Sequence, residues 1–224
     1  MIRGLVLAGG KSSRFGSNKA VARYQGIRLV ERAVSLLNEL SLKPVVAVQK
    51  GTGYPFLKCA TIDDRLPDRG PLGGLYTAMT VFRNTSFLAL TCDMPALTRP
   101  VLSELLSRHT PEFLATAYRT QDERVQPFPG VYGPLLLGTI REKLKTNSLS
   151  VYDLLDKTPR KQFILWRGDG RIFTNINSAR DLRTFEMSDR HGREGFSGRP
   201  ACPRGKPGER TGAVLRRLDC RSRF

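Results

Sequence analysis

The segment Leu5-Val6-Leu7-Ala8-Gly9-Gly10-Lys11-Ser12-Ser13-Arg14-Phe15-Gly16-Ser17-Asn18-Lys19 decides the fold. The apolar run from Ile2 to Ala8 reads as one buried strand, ending in paired glycines and a small, polar, basic loop. A buried strand feeding a glycine-rich loop is how many α/β proteins cradle phosphates. Gly9 and Gly10 leave main-chain N–H groups uncovered and let an anion come close. Arg14 and Lys19 supply positive charge suited to a polyphosphate. The string is not a Walker A motif, and its glycines do not fit the dinucleotide fingerprint G-x-G-x-x-G.

Outward from this loop, strands and helices alternate. Leu29 to Leu40 reads as a helix with an apolar stripe of Leu29, Ala33, Leu36, Leu37 and Leu40. Val45 to Val48 and Ala60 to Ile62 read as short strands, and Phe87 to Thr91 as a central one. This order predicts an α/β domain with a mainly parallel sheet. Gly70-Pro71 opens a helix carrying Leu72, Leu75, Met79 and Phe82. Its early glycines, Gly73 and Gly74, admit two readings: close packing against a strand, or approach of a ligand to the helix start.

Thr98 is the expected N-cap of a helix through Leu106, and Phe113 to Tyr118 a further strand. Pro127 and Pro129 argue against a central strand at that point, so Val125–Pro129 reads as a turn into a short strand Gly130–Tyr132. Leu135 to Leu144 is helical, Ser150 opens a short helix with capping-box spacing, and Phe163 to Trp166 is a strand. Ser178 to Leu182 begins a last helix with the same capping-box spacing.

Asp93 follows the central strand directly, where open α/β sheets bind ligands. Beside a polyphosphate a carboxylate needs a bridging cation, which makes Asp93 a candidate Mg²⁺ ligand. The alternative is a turn cap before Pro95. Asn175 and Asn177 precede the last helix, either as turn residues or as amides for a ligand.

The whole chain has 224 residues, 40% of them hydrophobic, enough for one sizeable domain. No run approaches the roughly 20 apolar residues of a membrane span. The first residues lack the pattern of a signal peptide, so a cytoplasmic protein is expected. The four cysteines form no C-x-x-C, and Cys59 and Cys92 read as buried thiols. A net charge of +17 fits an anionic substrate, nucleic acid or an acidic partner. From Glu186 the chain is rich in Gly, Pro and Arg and reads as a disordered tail, leaving residues 1–185 as the folded domain.

The opening string resembles the nucleotidyltransferase signature L-A-G-G-x-S-x-R-[FM]-G-x-x-K, in the form typical of molybdenum cofactor guanylyltransferases, the MobA family. Asp63–Leu75, Cys92–Pro95 and Asn175–Leu182 resemble further elements of that family in the right order, and Gln126–Tyr132 its Q-P-x-x-x-x-Y element. The resemblance implies a single three-layer α/β domain of the nucleotide-diphospho-sugar transferase type, related to the GT-A fold.

It also implies transfer of GMP from GTP to molybdenum-molybdopterin, with Mg²⁺ as cofactor and a molybdoenzyme or cofactor-delivery protein downstream. Leu7, Ala8, Gly9 and Gly10 would meet the nucleotide, with Val48 and Asp64 in the same pocket. Lys19 and Arg14 would act on the phosphates, and Asp93 would hold the metal. Gly74, Asn175 and Asn177 would lie towards the molybdopterin. Position 48 is Val where some members carry Asn, and Asn147–Ser150 lacks an arginine found near this point in some relatives. Two rival readings use the same residues: a cytidylyl or sugar-phosphate nucleotidyltransferase, and a non-catalytic binding protein whose basic tail holds nucleic acid.

Overall fold

The computed structural model describes residues 1–9, 15, 18–66 and 68–194. In chain order come β1 (Ile2–Leu7), a 3₁₀ turn (Lys19–Val21), β2 (Arg23–Tyr24), β3 (Ile27–Arg28), α1 (Leu29–Glu39), β4 (Pro44–Val48), β5 (Ala60–Asp63), α2 (Gly70–Val81), β6 (Ser86–Thr91) and α3 (Arg99–Arg108). The second half holds β7 (Ala115–Thr120), β8 (Val125–Tyr132), α4 (Leu137–Lys145), α5 (Val151–Lys157), β9 (Lys161–Trp166), a 3₁₀ turn (Gly170–Phe173) and α6 (Ala179–Glu194).

Seven strands form one sheet in the order β5-β4-β1-β6-β8-β7-β9, with β8 antiparallel to both of its neighbours. β2 and β3 make a separate hairpin. Its turn residues Gln25 and Gly26 both have positive φ, as a two-residue hairpin turn requires.

From β1 the chain winds one way through α1 to β4 and β5. It then returns through α2 to β6, on the other side of β1. The two crossovers lie on opposite faces of the sheet, and β1 shows why. A Cβ on Gly4 would come within 2.7 Å of Leu37 in α1, whereas a Cβ on Gly74 in α2 would come within 2.7 Å of Leu7. Gly4 and Leu7 differ in parity, so they face opposite layers. β1 and β6 therefore flank the switch point of the sheet, where a crevice opens beyond the strand ends. In register Leu7 pairs with Thr91, so the two strands finish level.

The core is built from these strands: Leu5, Val6, Phe87, Leu88, Leu90, Tyr118 and Tyr132 are all inaccessible to solvent. Among the described residues no helix is long and apolar enough to cross a membrane.

Two expectations need correction. β8 is a full strand in the centre of the sheet, not a turn with a three-residue strand. Its prolines are tolerated because the ladder skips them: Ala117 pairs with Gly130, the next β7 residue Tyr118 pairs with Gln126, and residues 127–129 bulge out. The Pro127 carbonyl accepts the Tyr132 hydroxyl at 2.6 Å, and a Cβ on Gly130 would meet that carbonyl oxygen at 2.5 Å. Thr98 takes the N-cap place of α3, as expected, without a side-chain capping bond.

The last helix does not stop before Glu186 but runs to Glu194. Glu186 and Asp189 in this part of the helix are used. The Gln25 N–H donates to Glu186 at 3.2 Å, and the Tyr24 hydroxyl donates to Asp189 at 2.8 Å. The remainder of the expected tail, 195–224, lies outside the described residues.

Candidate active site

Three side chains from distant parts of the chain meet at the C-terminal mouth of β1 and β6. Lys19, in the turn after the glycine-rich loop, donates from Nζ to Asp93 Oδ2 at 2.7 Å. It also lies 3.4 Å from the amide oxygen of Asn177. Asp93 follows β6 by one turn residue, and Asn177 precedes α6. Local rules place each of them. Asn18 caps the Lys19 turn by accepting the Ala20 N–H at 3.1 Å. Ser178 accepts the Asp181 N–H at 3.1 Å, and the Asp181 carboxylate reaches back to the Asn177 N–H at 3.0 Å. One orphan donor at the start of α6, the Asp181 N–H, is thereby satisfied, and the Asn177 N–H just before the helix as well.

The end of β1 is held on both sides: the Ala8 N–H donates to Ala47 at 3.0 Å, and the Cys92 N–H donates to Leu7 at 3.4 Å. Gly9 is exposed beyond it. Gly10 and Arg14 lie outside the described residues.

The Asp93 carboxylate is only partly satisfied. One oxygen holds Lys19, and the other, Oδ1, is buried with no hydrogen-bond partner. A buried carboxylate oxygen left bare is costly and calls for an explanation, an ion among them. Among the described residues no group of three or more His, Cys, Asp or Glu side chains converges on one point. That donor set fits Mg²⁺, which commonly binds through one or two carboxylates together with substrate phosphates and water. The neighbouring thiol of Cys92 is pushed up to about 12 by burial and by the adjacent Asp93 charge. Cys59 is half-buried rather than buried, and burial raises its thiol as well.

Residues 4–161 match the family model described as the MobA-like NTP transferase domain. The chain belongs to the MobA-like NTP transferase family. It is 30% identical over 183 residues to a Flavobacterium johnsoniae protein named a probable molybdenum cofactor guanylyltransferase, covering 82% of this chain and 95% of that one. A Bacillus licheniformis protein of the same name is 30% identical over 190 residues, covering 81% and 95%. In fold the chain is similar to the crystal structure of molybdopterin-guanine dinucleotide biosynthesis protein A from Archaeoglobus fulgidus, with a TM-score of 0.71 and 18% identity over 85% of this chain and all of that one. The chain is thus a MobA-like nucleotidyltransferase on a GT-A-like α/β fold.

In this MobA-like transferase several residues expected at the site are turned inward. The Val48 side chain is buried in the core, and its carbonyl accepts the Asp64 N–H at 2.7 Å. The Asp64 carboxylate accepts the Leu66 N–H and the Thr77 hydroxyl, both at 3.0 Å, and burial raises it above the usual carboxylate range. These bonds order the turn into α2. Gly74 is buried, and a Cβ there would meet Leu7 and Ala47. Of the two asparagines, Asn177 reaches Lys19, whereas Asn175 is exposed beyond the buried Ile176. A guanidinium does reach Asn147, but it comes from Arg69 at the start of α2.

Two residues of this neighbourhood escaped the reading of the sequence. Asn18 was only a filler position in the loop motif, and Tyr54 belonged to no motif. Their contact joins the β1 loop to the β4–β5 connection. Only the run Gly51-Thr52-Gly53-Tyr54 hints at a close turn there.

Proposed function

We propose that this chain transfers GMP from GTP to molybdenum-loaded molybdopterin, forming the guanine dinucleotide and releasing pyrophosphate. An oxygen of the terminal molybdopterin phosphate forms a bond to the α-phosphorus of GTP. The bond from that phosphorus to the bridging oxygen breaks, and the electron pair leaves with pyrophosphate. The attacking phosphate is already anionic, so no general base is required.

The observation that carries this reading is the Lys19–Asp93–Asn177 cluster at the switch point, with Asp93 Oδ1 buried and bare. Lys19, held by two acceptors, is a cation fixed in place before substrate arrives. Such preorganised charge is what phosphate transfer chiefly demands of a protein. Asp93 would hold Mg²⁺ through its free oxygen. When bound, the ion would neutralise charge on the phosphate oxygens. Arg14 and Gly10, by their place in the loop motif, would add donors to the leaving phosphates. Asn177 would orient Lys19 and face the acceptor. Guanine in preference to cytosine is supported by the names of the curated relatives. The reading places the reaction in the cytoplasm, with a molybdoenzyme or its delivery protein receiving the product.

The test is pyrophosphate release by purified protein with Mg²⁺ and molybdenum-loaded molybdopterin, offering GTP, CTP and ATP in parallel. Release with GTP alone is expected. Release with CTP alone would move the protein to cytidylyl transfer, and release with none would remove the catalytic reading.

A further inference from the structure

The β4–β5 connection brings one tyrosine to the exit of the nucleotide loop. The Tyr54 ring is 5% exposed and lies 5.7 Å from the Phe56 ring, and Phe56 in turn is covered by the Arg28 guanidinium at 4.0 Å. A phenylalanine would fill the same space. The hydroxyl has another use. The Asn18 amide nitrogen donates to it at 3.0 Å, and it lies 3.3 Å from the Asn18 amide oxygen. That oxygen accepts the Ala20 N–H, and the Asn18 carbonyl accepts the Val21 N–H at 3.1 Å. Lys19 is the residue between.

We infer that Tyr54 is a positioning residue for nucleotidyl transfer: its hydroxyl holds the Asn18 amide, and the capped turn fixes the direction from which Lys19 reaches Asp93 and Asn177. A lysine side chain has many rotamers to lose on being fixed, so a preset backbone matters to where its ammonium rests. Three groups must agree for Nζ to lie 2.7 Å from Asp93 and 3.4 Å from Asn177. Two of them ride on the sheet and on α6, while the third depends on a short turn after the loop. Tyr54 ties that turn to the body of the domain. Burial raises the tyrosine hydroxyl above the usual phenol range, so it remains a neutral donor and acceptor in ordinary buffers.

The inference rests on the proposed role of Lys19 at the nucleotide phosphates, and the experiment separates the two. GTP affinity is measured by calorimetry with Mg²⁺ for the wild type, Tyr54→Phe, Lys19→Ala and the double variant. Tyr54→Phe is expected to weaken GTP about fivefold to tenfold, the worth of one such hydrogen bond. In the Lys19→Ala background the same change is expected to leave affinity within about twofold, because a residue acting through Lys19 has nothing left to act on. An equal loss in both backgrounds, or none in either, would overturn the inference.

A second arm needs no substrate. Tryptic cleavage after Lys19 is expected to speed up several-fold in Tyr54→Phe, and in Asn18→Ala likewise, at a temperature well below the melting point of every variant. Unchanged cleavage would overturn the inference even if GTP binds. Wild type that binds no nucleotide would overturn the functional reading, while the cleavage rates would still decide whether Tyr54 orders Lys19.

Discussion

The main-chain N–H of Ile176 donates to the main-chain carbonyl of Asp93 across 2.8 Å. This one bond joins the approach to α6 to the end of β6, and it explains how an asparagine so late in the chain reaches the opening loop. Ile176 is wholly buried, in a small cluster with Tyr24, Leu29 and Leu182. Its neighbours on either side are exposed, and Asn177 is carried to Lys19. The buried isoleucine is the peg, and the asparagines are what it presents.

If Asp93 holds a cation through its bare oxygen, removing its charge while keeping its shape should be enough to disable the enzyme. Asp93→Asn keeps an acceptor for Lys19 and should fold normally. Turnover is expected to fall by roughly 10²–10³, the scale of losing one charge-stabilising group in a transfer site. The residual rate should no longer respond to Mg²⁺. A Mg²⁺ titration of pyrophosphate release checks this, and a wild-type response in the variant would remove Asp93 as the ligand.

Gly74 tests packing against ligand contact. A Cβ at this position would stand 2.7 Å from Leu7 Cδ2 and 3.4 Å from Ala47 Cβ. Gly74→Ala should therefore overpack the contact between α2 and the sheet, at a cost of about 1–3 kcal/mol. Urea denaturation reads that loss. The KM for molybdopterin should stay near the wild-type value. A raised KM at unaltered stability would put Gly74 on the ligand side.

The α4–α5 corner gives a pH signature. Asp153 is held down to about 2, from an ordinary value of 3.8, first by the Lys143 ammonium and then by the Ser148 hydroxyl and Lys157. The folded state thus prefers the ionised carboxylate. As pH falls through the window from about 4 to about 2, the unfolded chain takes up this proton first, and stability is lost. Above that window the contribution is complete and flat. Asp153→Asn should lack this component. The difference in urea midpoint between wild type and variant is expected to shrink as pH is lowered from 5 towards 2.5, and a constant difference would contradict the assignment.

The parts of the fold that were legible are those with a strong local pattern. β1, β4 and β6 are buried parallel strands, and such strands read as nearly continuous apolar runs. α1 shows its stripe directly. The β2–β3 hairpin has two residues per strand, too few for any period to show. β8 was misread because its prolines argue correctly against a regular ladder, while a bulge keeps them out of it. At the site, Lys19 and Asp93 were legible as motif positions. Their meeting was not, because it depends on β1 and β6 ending level. Tyr54 was invisible for the same kind of reason: its partner Asn18 lies 36 positions earlier, and no spacing rule relates them.

The second half of α6 tests how composition misled the domain boundary. The polar stretch after Phe185 looked unable to fold, yet its carboxylates are the acceptors for Tyr24 and Gln25. Asp189 takes the Tyr24 hydroxyl at 2.8 Å and the Gln25 side-chain amide at 2.7 Å, and Glu186 takes the Gln25 N–H at 3.2 Å. Truncation after Phe185 removes all three bonds. At about 1 kcal/mol for each, the loss is roughly 2–3 kcal/mol, or several degrees in melting temperature at about 2–4 °C per kcal/mol for a chain of this size. The effect should extend to the site, since Tyr24 and Ile176 share one cluster and Ile176 carries Asn177 to Lys19. Truncation after Glu194 keeps every one of these contacts and serves as the control. Thermal melts and pyrophosphate release on the two truncations decide the matter. If both match the full chain, the anchoring of α6 contributes nothing, and the folded domain ends where composition first placed it.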